Sequence, residues 1–291
     1  MSAWLSAKMI DVLYHLHAPL GVPGSGRVRY GAAMALWRDG LITAEVLEVY
    51  RIASAHDHRD PLQELSSRGL PPPPSTGQGS PVLQLYKAAR DYLLALDHPG
   101  SADVAAGLAA DPGPERPQTV RQNATQEKWL PTALSLLGAT HPDLASAIAL
   151  AAPMLEWVTY DAYPRELIGD DFPTSHAFAS LVGPDAPFAA HDFDMGVFLI
   201  APGVLYRDHR HPAPELYAPL TGPHGWRFGA GRPVFVKPAH APVWNPPQKP
   251  HMTKVGNVPF LSLFVWTKDV NELAHVIPCD DWPELEANRL V

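Results

Sequence analysis

Cysteine is all but missing, with Cys279 alone among 291 residues. One thiol can make neither an internal disulfide nor a cysteine-rich zinc site, and it fits a reducing compartment. Positive charge is short as well. Lys and Arg total 22 against 30 Asp and Glu, giving a formal charge of -8 at pH 7 with no basic block. The footprint that nucleic-acid binding requires is therefore absent. No apolar run approaches the roughly 18 residues of a membrane span. Near the N-terminus Asp11, His15 and His17 interrupt the apolar residues, which leaves no signal-peptide core. These absences predict a cytoplasmic protein whose partners are small molecules, with no nucleic acid and no membrane.

What is present describes a globular chain, 46% hydrophobic and 18% charged. Its length allows one or two domains of roughly 100–200 residues. Proline, at 33 residues, is twice its usual share of about 5% and predicts long ordered loops. Apolar residues at three- and four-residue intervals (Leu5, Met9, Val12, then Met34, Trp37, Leu41, Val46) predict helices over 3–20 and 29–55. The run PPPPSTGQGSP over 71–81 must be a loop. Helical spacing returns over 82–96, 125–137 and 143–155. Beyond about residue 157, short runs rich in Val, Phe, Tyr and Leu read as strands over 177–182, 196–201, 215–220, 233–236 and 260–266. The pattern predicts an α+β fold. A helical region over 1–156 packs on a barrel or at a homodimer interface, and a β-sandwich or barrel occupies 157–291.

Chemistry concentrates in the second half, in Gly203-x5-His209-x-His211-x3-Glu215-x6-Gly222. Positions 209, 211, 215 and 217 share parity, so a strand that keeps register through Pro212–Pro214 turns all four side chains to one face. Two imidazoles and a carboxylate suit one divalent ion, zinc, iron, manganese or nickel, with a third histidine from a distant strand completing the set. His251 is the best candidate for that third imidazole and His240 the next. The pairs His15/His17 and His56/His58 have no matching downstream carboxylate and read as surface residues.

This spacing resembles the first cupin motif. The surrounding residues, Tyr206-Arg-Asp-His209-Arg-His211-Pro-Ala-Pro-Glu215-Leu-Tyr217, the 244–251 segment and Leu263-Phe-Val-Trp266, resemble the cupin-type dimethylsulfoniopropionate (DMSP) lyases and their relatives. The resemblance covers roughly residues 175–270. It implies a C-terminal cupin barrel with His209, His211, Glu215 and His251 as metal ligands. Tyr217 falls where that family places its base, Tyr206 matches a second tyrosine, and Trp266 matches a tryptophan lining the pocket. The second cupin motif departs from the general pattern: His251 lacks an Asn three residues on, and a proline-rich run precedes it.

The resemblance thus implies β-elimination of dimethyl sulfide from DMSP to leave acrylate, with a metal-bound carboxylate and Tyr217 as base. Tyr206 sits at an odd offset from His209 and points to the opposite face unless a bulge intervenes. Trp266, Trp244 and Tyr206 are candidate walls for the sulfonium, since cations are attracted to aromatic faces, and His176 is a further candidate for the pocket. The same ligands would also serve a cupin dioxygenase or isomerase acting on another small carboxylate, or a non-catalytic small-molecule-binding cupin.

Overall fold

The structure, a computed structural model, describes residues 12–288 and 290 except 14, 74–79, 117 and 122. Most of the helix expected over 3–20 lies outside these. The chain divides into two compact units, Met1–Gln84 and Leu85–Val291.

In the first unit, α1 (Ser25–Arg38), α2 (Ala44–Ala53) and α3 (Pro61–Ser67) enclose a core that includes Leu36, Val46, Val49, Tyr50 and Leu65. The helix expected over 29–55 is broken in two. Gly40 takes a φ of 70° just past α1, a left-handed conformation that helices commonly end on. Thr43 then starts α2 by accepting the Val46 N–H on its side chain. A hydrophobic period continues across such a break, so periodicity alone does not reveal it.

The second unit begins within α4 (Pro81–Leu94) and adds α5 (Ser101–Gly107), α6 (Ala124–Gly138) and α7 (Pro142–Ala151). The short turns α8 (Arg165–Ile168) and α9 (Asp171–Thr174) follow. One sheet runs β2 (Phe188–Ala189), β1 (His176–Gly183), β3 (Asp194–Ile200), β10 (Phe260–Trp266), β5 (Glu215–Pro219) and β8 (Val243–Asn245). The other runs β11 (His275–Val276), β4 (Leu205–Arg210), β9 (His251–Lys254), β6 (His224–Phe228) and β7 (Phe235–Lys237). Pairing is antiparallel except between β1 and β2. Phe198, Tyr217 and Phe260 of the first sheet share one core with Tyr206, Trp226 and Met252 of the second. Two sheets burying a common aromatic core form the double-sheet jelly roll that cupins use. The fold class is therefore α+β with a C-terminal cupin. The composition change near residue 157 marks where helix gives way to strand. The compact unit starts earlier in the chain, because α6 packs on β1, β3 and β10.

The strand that carries His209 is held from behind. Side chains alternate along β4, so Asp208 faces away from the core that His209 enters. The fully buried Asp208 carboxylate accepts from the Arg227 guanidinium and, at 2.9 Å, from the Trp282 indole N–H of α10 (Trp282–Ala287). Arg227 also donates to Asp281. Removing one partner strands the other's charge in the interior. Asp208→Ala is expected to cost about 3 kcal/mol, near the low end for a broken buried pair because Asp281 remains; urea denaturation measures it.

Candidate metal centre

His209 on β4 and His251 on β9 stand directly opposite each other in register. His211 follows β4, and Glu215 opens β5 in the facing sheet, so the cluster spans both sheets. All four residues are at most 2% exposed. One ring nitrogen from each of the three histidines lies within 4.8 Å of the others.

Hydrogen bonding fixes which nitrogen points inward. Nδ1 of His209 is 2.8 Å from the Arg207 carbonyl oxygen, Nδ1 of His211 is 2.8 Å from that of Ala213, and Nδ1 of His251 is 2.9 Å from that of Lys249. A carbonyl only accepts, so each Nδ1 carries the proton and each Nε2 presents a lone pair. The three Nε2 atoms are buried and have no hydrogen-bond partner. Nε2 of His211 and of His251 each lie 3.3 Å from Glu215 Oε2. Lone pairs facing a carboxylate oxygen repel unless a cation lies between them. Three imidazole nitrogens and a carboxylate, each braced by a hydrogen bond on its far side, therefore fit a divalent metal ion.

Charge states agree. Burial, with His251 and His211 nearby, holds the His209 imidazole well below its usual value, in its neutral ligand form. Burial pushes the Glu215 carboxyl up, but positive charge at His211 and His251, the place a bound cation takes when the rings are neutral, outweighs it and holds it well below the usual carboxylate range. Glu215 is aimed by two neighbours. The Trp266 indole N–H donates to Oε1 at 2.7 Å and Asn245 Nδ2 to Oε2 at 2.8 Å. The Trp266 ring also stacks on His211 at 4.5 Å.

A cavity of about 190 Å³ opens beside the cluster, lined among others by Tyr160, Tyr163, Phe198, Tyr206, Tyr217 and Trp266. Tyr217 reaches it because two residues along β5 return to the face of Glu215. Burial, and then the Glu215 charge, raise its hydroxyl well above the usual value. Tyr206 reaches it through a bulge: Tyr206 pairs with Thr253 but His209 with His251, three residues on β4 against two on β9. The extra residue turns Tyr206 to the inner face, where its ring stacks on His209 at 3.9 Å and its hydroxyl lies 2.7 Å from that of Tyr163.

Three other sequence candidates lie elsewhere. Trp244 pairs with Leu216, one residue out of phase with Glu215 and Tyr217. Its indole lies against Gly100, where an added Cβ would approach it to 2.2 Å, and near His98. The residue of that strand that reaches the cluster is Asn245, which pairs with Glu215 and donates to its carboxylate. His176 is fully buried but committed to the backbone: Nδ1 donates to the Phe172 carbonyl at 2.6 Å and Nε2 accepts from the Tyr160 N–H at 2.8 Å. It supports the cavity wall from outside. His240 is bound by Tyr92 and Thr140, at 2.9 and 3.0 Å. Sequence reading passed over Asn245 and Tyr163, whose signal lies in strand pairing and in a loop contact, neither of which has a spacing of its own.

The profile of the dimethylsulfoniopropionate lyase family matches residues 101–262, more than half the chain. The chain belongs to this family. It is by that membership a carbon–sulfur lyase. DMSP lyase DddQ of Ruegeria pomeroyi is 28% identical over 170 residues, 57% of this chain and 81% of that one. The crystal structure of DddQ from Ruegeria pomeroyi DSS-3 superposes with a TM-score of 0.50 at 24% identity, covering 70% of this chain and 98% of that one. A chain from the crystal structures of the DMSP lyases RdDddP and RnDddQII gives 0.52 at 23% identity, with 68% and 98% covered. At this identity the two superpositions bear on the fold. Among the described residues, no helix of the lyase is long and apolar enough to cross a membrane.

The bond from Trp266 to Glu215 carries a prediction for metal affinity. Trp266→Phe keeps an aromatic wall but frees Glu215 Oε1, and is expected to weaken Zn²⁺ binding by roughly 10- to 100-fold. Competition against a chromophoric chelator measures it.

Proposed function

We propose that this lyase cleaves DMSP to dimethyl sulfide and acrylate by β-elimination, using one divalent metal ion held by His209, His211, His251 and Glu215. The observation that carries the reading is the convergence of three unpartnered Nε2 atoms and one carboxylate at a cavity lined by Tyr217 and Tyr206. The donor set suits zinc, iron, manganese or nickel. A bound ion would supply Lewis acidity at the substrate carboxylate and offset the burial and negative charge that otherwise keep the Tyr217 hydroxyl protonated.

Tyr217 is the base in this reading. Its phenolic oxygen takes the proton from the carbon next to the carboxylate. The C–H electron pair becomes the new C=C bond, the C–S pair departs on sulfur, and dimethyl sulfide leaves neutral with acrylate behind. Tyr217 then returns its proton to solvent. Tyr206, its hydroxyl hydrogen-bonded to Tyr163, orients the substrate beside the reacting carbon. Trp266 closes the wall next to the histidines. The aromatic lining keeps water from the developing charge.

Headspace detection of dimethyl sulfide from DMSP tests the assignment. Tyr217→Phe is expected to lower turnover by about 10²- to 10⁴-fold, the range for loss of a positioned base; a variant as fast as the parent would remove Tyr217 from the mechanism. Chelation is expected to abolish turnover, and adding back each of the four metals singly identifies the one that restores it.

A further inference from the structure

One cross-strand row runs along the inner face of the larger sheet. Asp194 on β3 pairs with Trp266 on β10, Trp266 with Glu215 on β5, and Glu215 with Asn245 on β8. Asn245 and Trp266 both serve Glu215. Asp194 does not, since two strand spacings, roughly 10 Å, separate it from the Glu215 backbone. It lines the same cavity from the far side, beyond the indole.

Asp194 lacks a counter-charge. Its side chain has a hydrogen bond from Ser180, while Oδ1 is buried with no partner. Among the described residues no lysine or arginine lines the cavity, and Asp194 and Glu215 are its carboxylates. A buried charge without a partner is costly, and a serine or asparagine here would carry no such cost. Burial pushes the Asp194 carboxyl up to about 6, against the lowering effect of the Ser180 hydrogen bond. Asp194, Phe178 and Val270 also line a neighbouring cavity that contains Glu156 and Asp185.

We propose that Asp194 selects the substrate's cationic end, so that an onium carboxylate lies across the cavity with its carboxylate toward the histidines and its onium group toward Asp194. Naming that group a sulfonium rests on the DMSP reading above. Phe178 and Trp266 flank Asp194 and add aromatic faces for the methyl groups that carry the spread positive charge. A neutral chain of the same shape would leave the Asp194 carboxylate buried and unpaired, which is the basis for rejecting it.

Calorimetric titration of the full chain, supplied with Zn²⁺, against two unreactive ligands of matched shape tests this. One is cationic, 3-(trimethylammonio)propionate, and the other neutral at that end, 4,4-dimethylpentanoate. The parent is expected to prefer the cationic ligand by about tenfold or more, and Asp194→Asn to bring the two within about twofold by weakening the cationic ligand alone. Asp194→Glu keeps the charge and is expected to keep the preference. A parent that binds neither ligand or shows no preference, or an Asn variant that retains the preference, overturns the proposal. If the Asn variant binds neither ligand, Asp194→Glu decides, because a preference lost there also overturns it. Dimethyl sulfide release by the same parent protein separates the two readings. A preference that depends on Asp194 without DMSP cleavage defeats the lyase assignment alone, and cleavage with a preference indifferent to Asp194 defeats this one alone.

Discussion

Each histidine of the cluster gives its Nδ1 proton to a backbone carbonyl two residues away, and this local bond decides what the rest of the site can be. With Nδ1 occupied, the ring is neutral and its Nε2 lone pair has one direction left, toward the other two rings and Glu215. Gathering that many acceptors in a dry interior is unfavourable without a cation among them. The surrounding architecture holds the arrangement against this repulsion. Trp266 and Asn245 fix the Glu215 carboxylate from the side, and Asp208 and Arg227 hold β4 from behind.

The two faces of β4 divide the labour. Its outer face carries a charge-paired network tying the strand to β6 and α10, and its inner face carries the imidazole. Because one strand bears both, stability and ligand geometry are coupled: loosening Asp208 moves the backbone that aims His209. The bulge between Tyr206 and His209 extends the same logic, placing Tyr206 beside His209 on the inner face of β4.

The cavity is polar at its ends and aromatic between them. Glu215, the member of the cluster that lines it, lies at one side and Asp194 at the other, with Phe198, Phe264 and the tyrosines along the walls. Under the two proposals, a short zwitterion would be read at both termini, with its reacting carbons between them near Tyr217 and Tyr206. Tyr217 and Glu215 share β5, so the proposed base and the proposed metal ligand are held by one strand.

The ligand cluster was readable in the sequence because strand periodicity is local. Equal parity puts 215 and 217 on one face of β5, but the expected single strand through 209–217 breaks at Pro212–Pro214 into β4 and β5 of facing sheets, so the packing of the two sheets, with β9 bringing His251 opposite His209, gathers the cluster. The strand-rich second half and the family resemblance followed from the same residues. Trp244 and Asn245 show where that reading stops. They are neighbours, one facing the site and the other away, and only the pairing of β8 with β5 says which. Tyr206 depended on a single inserted residue, His176 and His240 on which hydrogen-bond partners the fold brought to them. Asp194 is one aspartate among many until three strands align it with Trp266 and Glu215. The sequence by itself determined which side chains share a strand face, a matter of backbone period. Only the tertiary structure decided register, bulges and the partners of buried polar groups, because these are set by contacts between residues far apart in the chain.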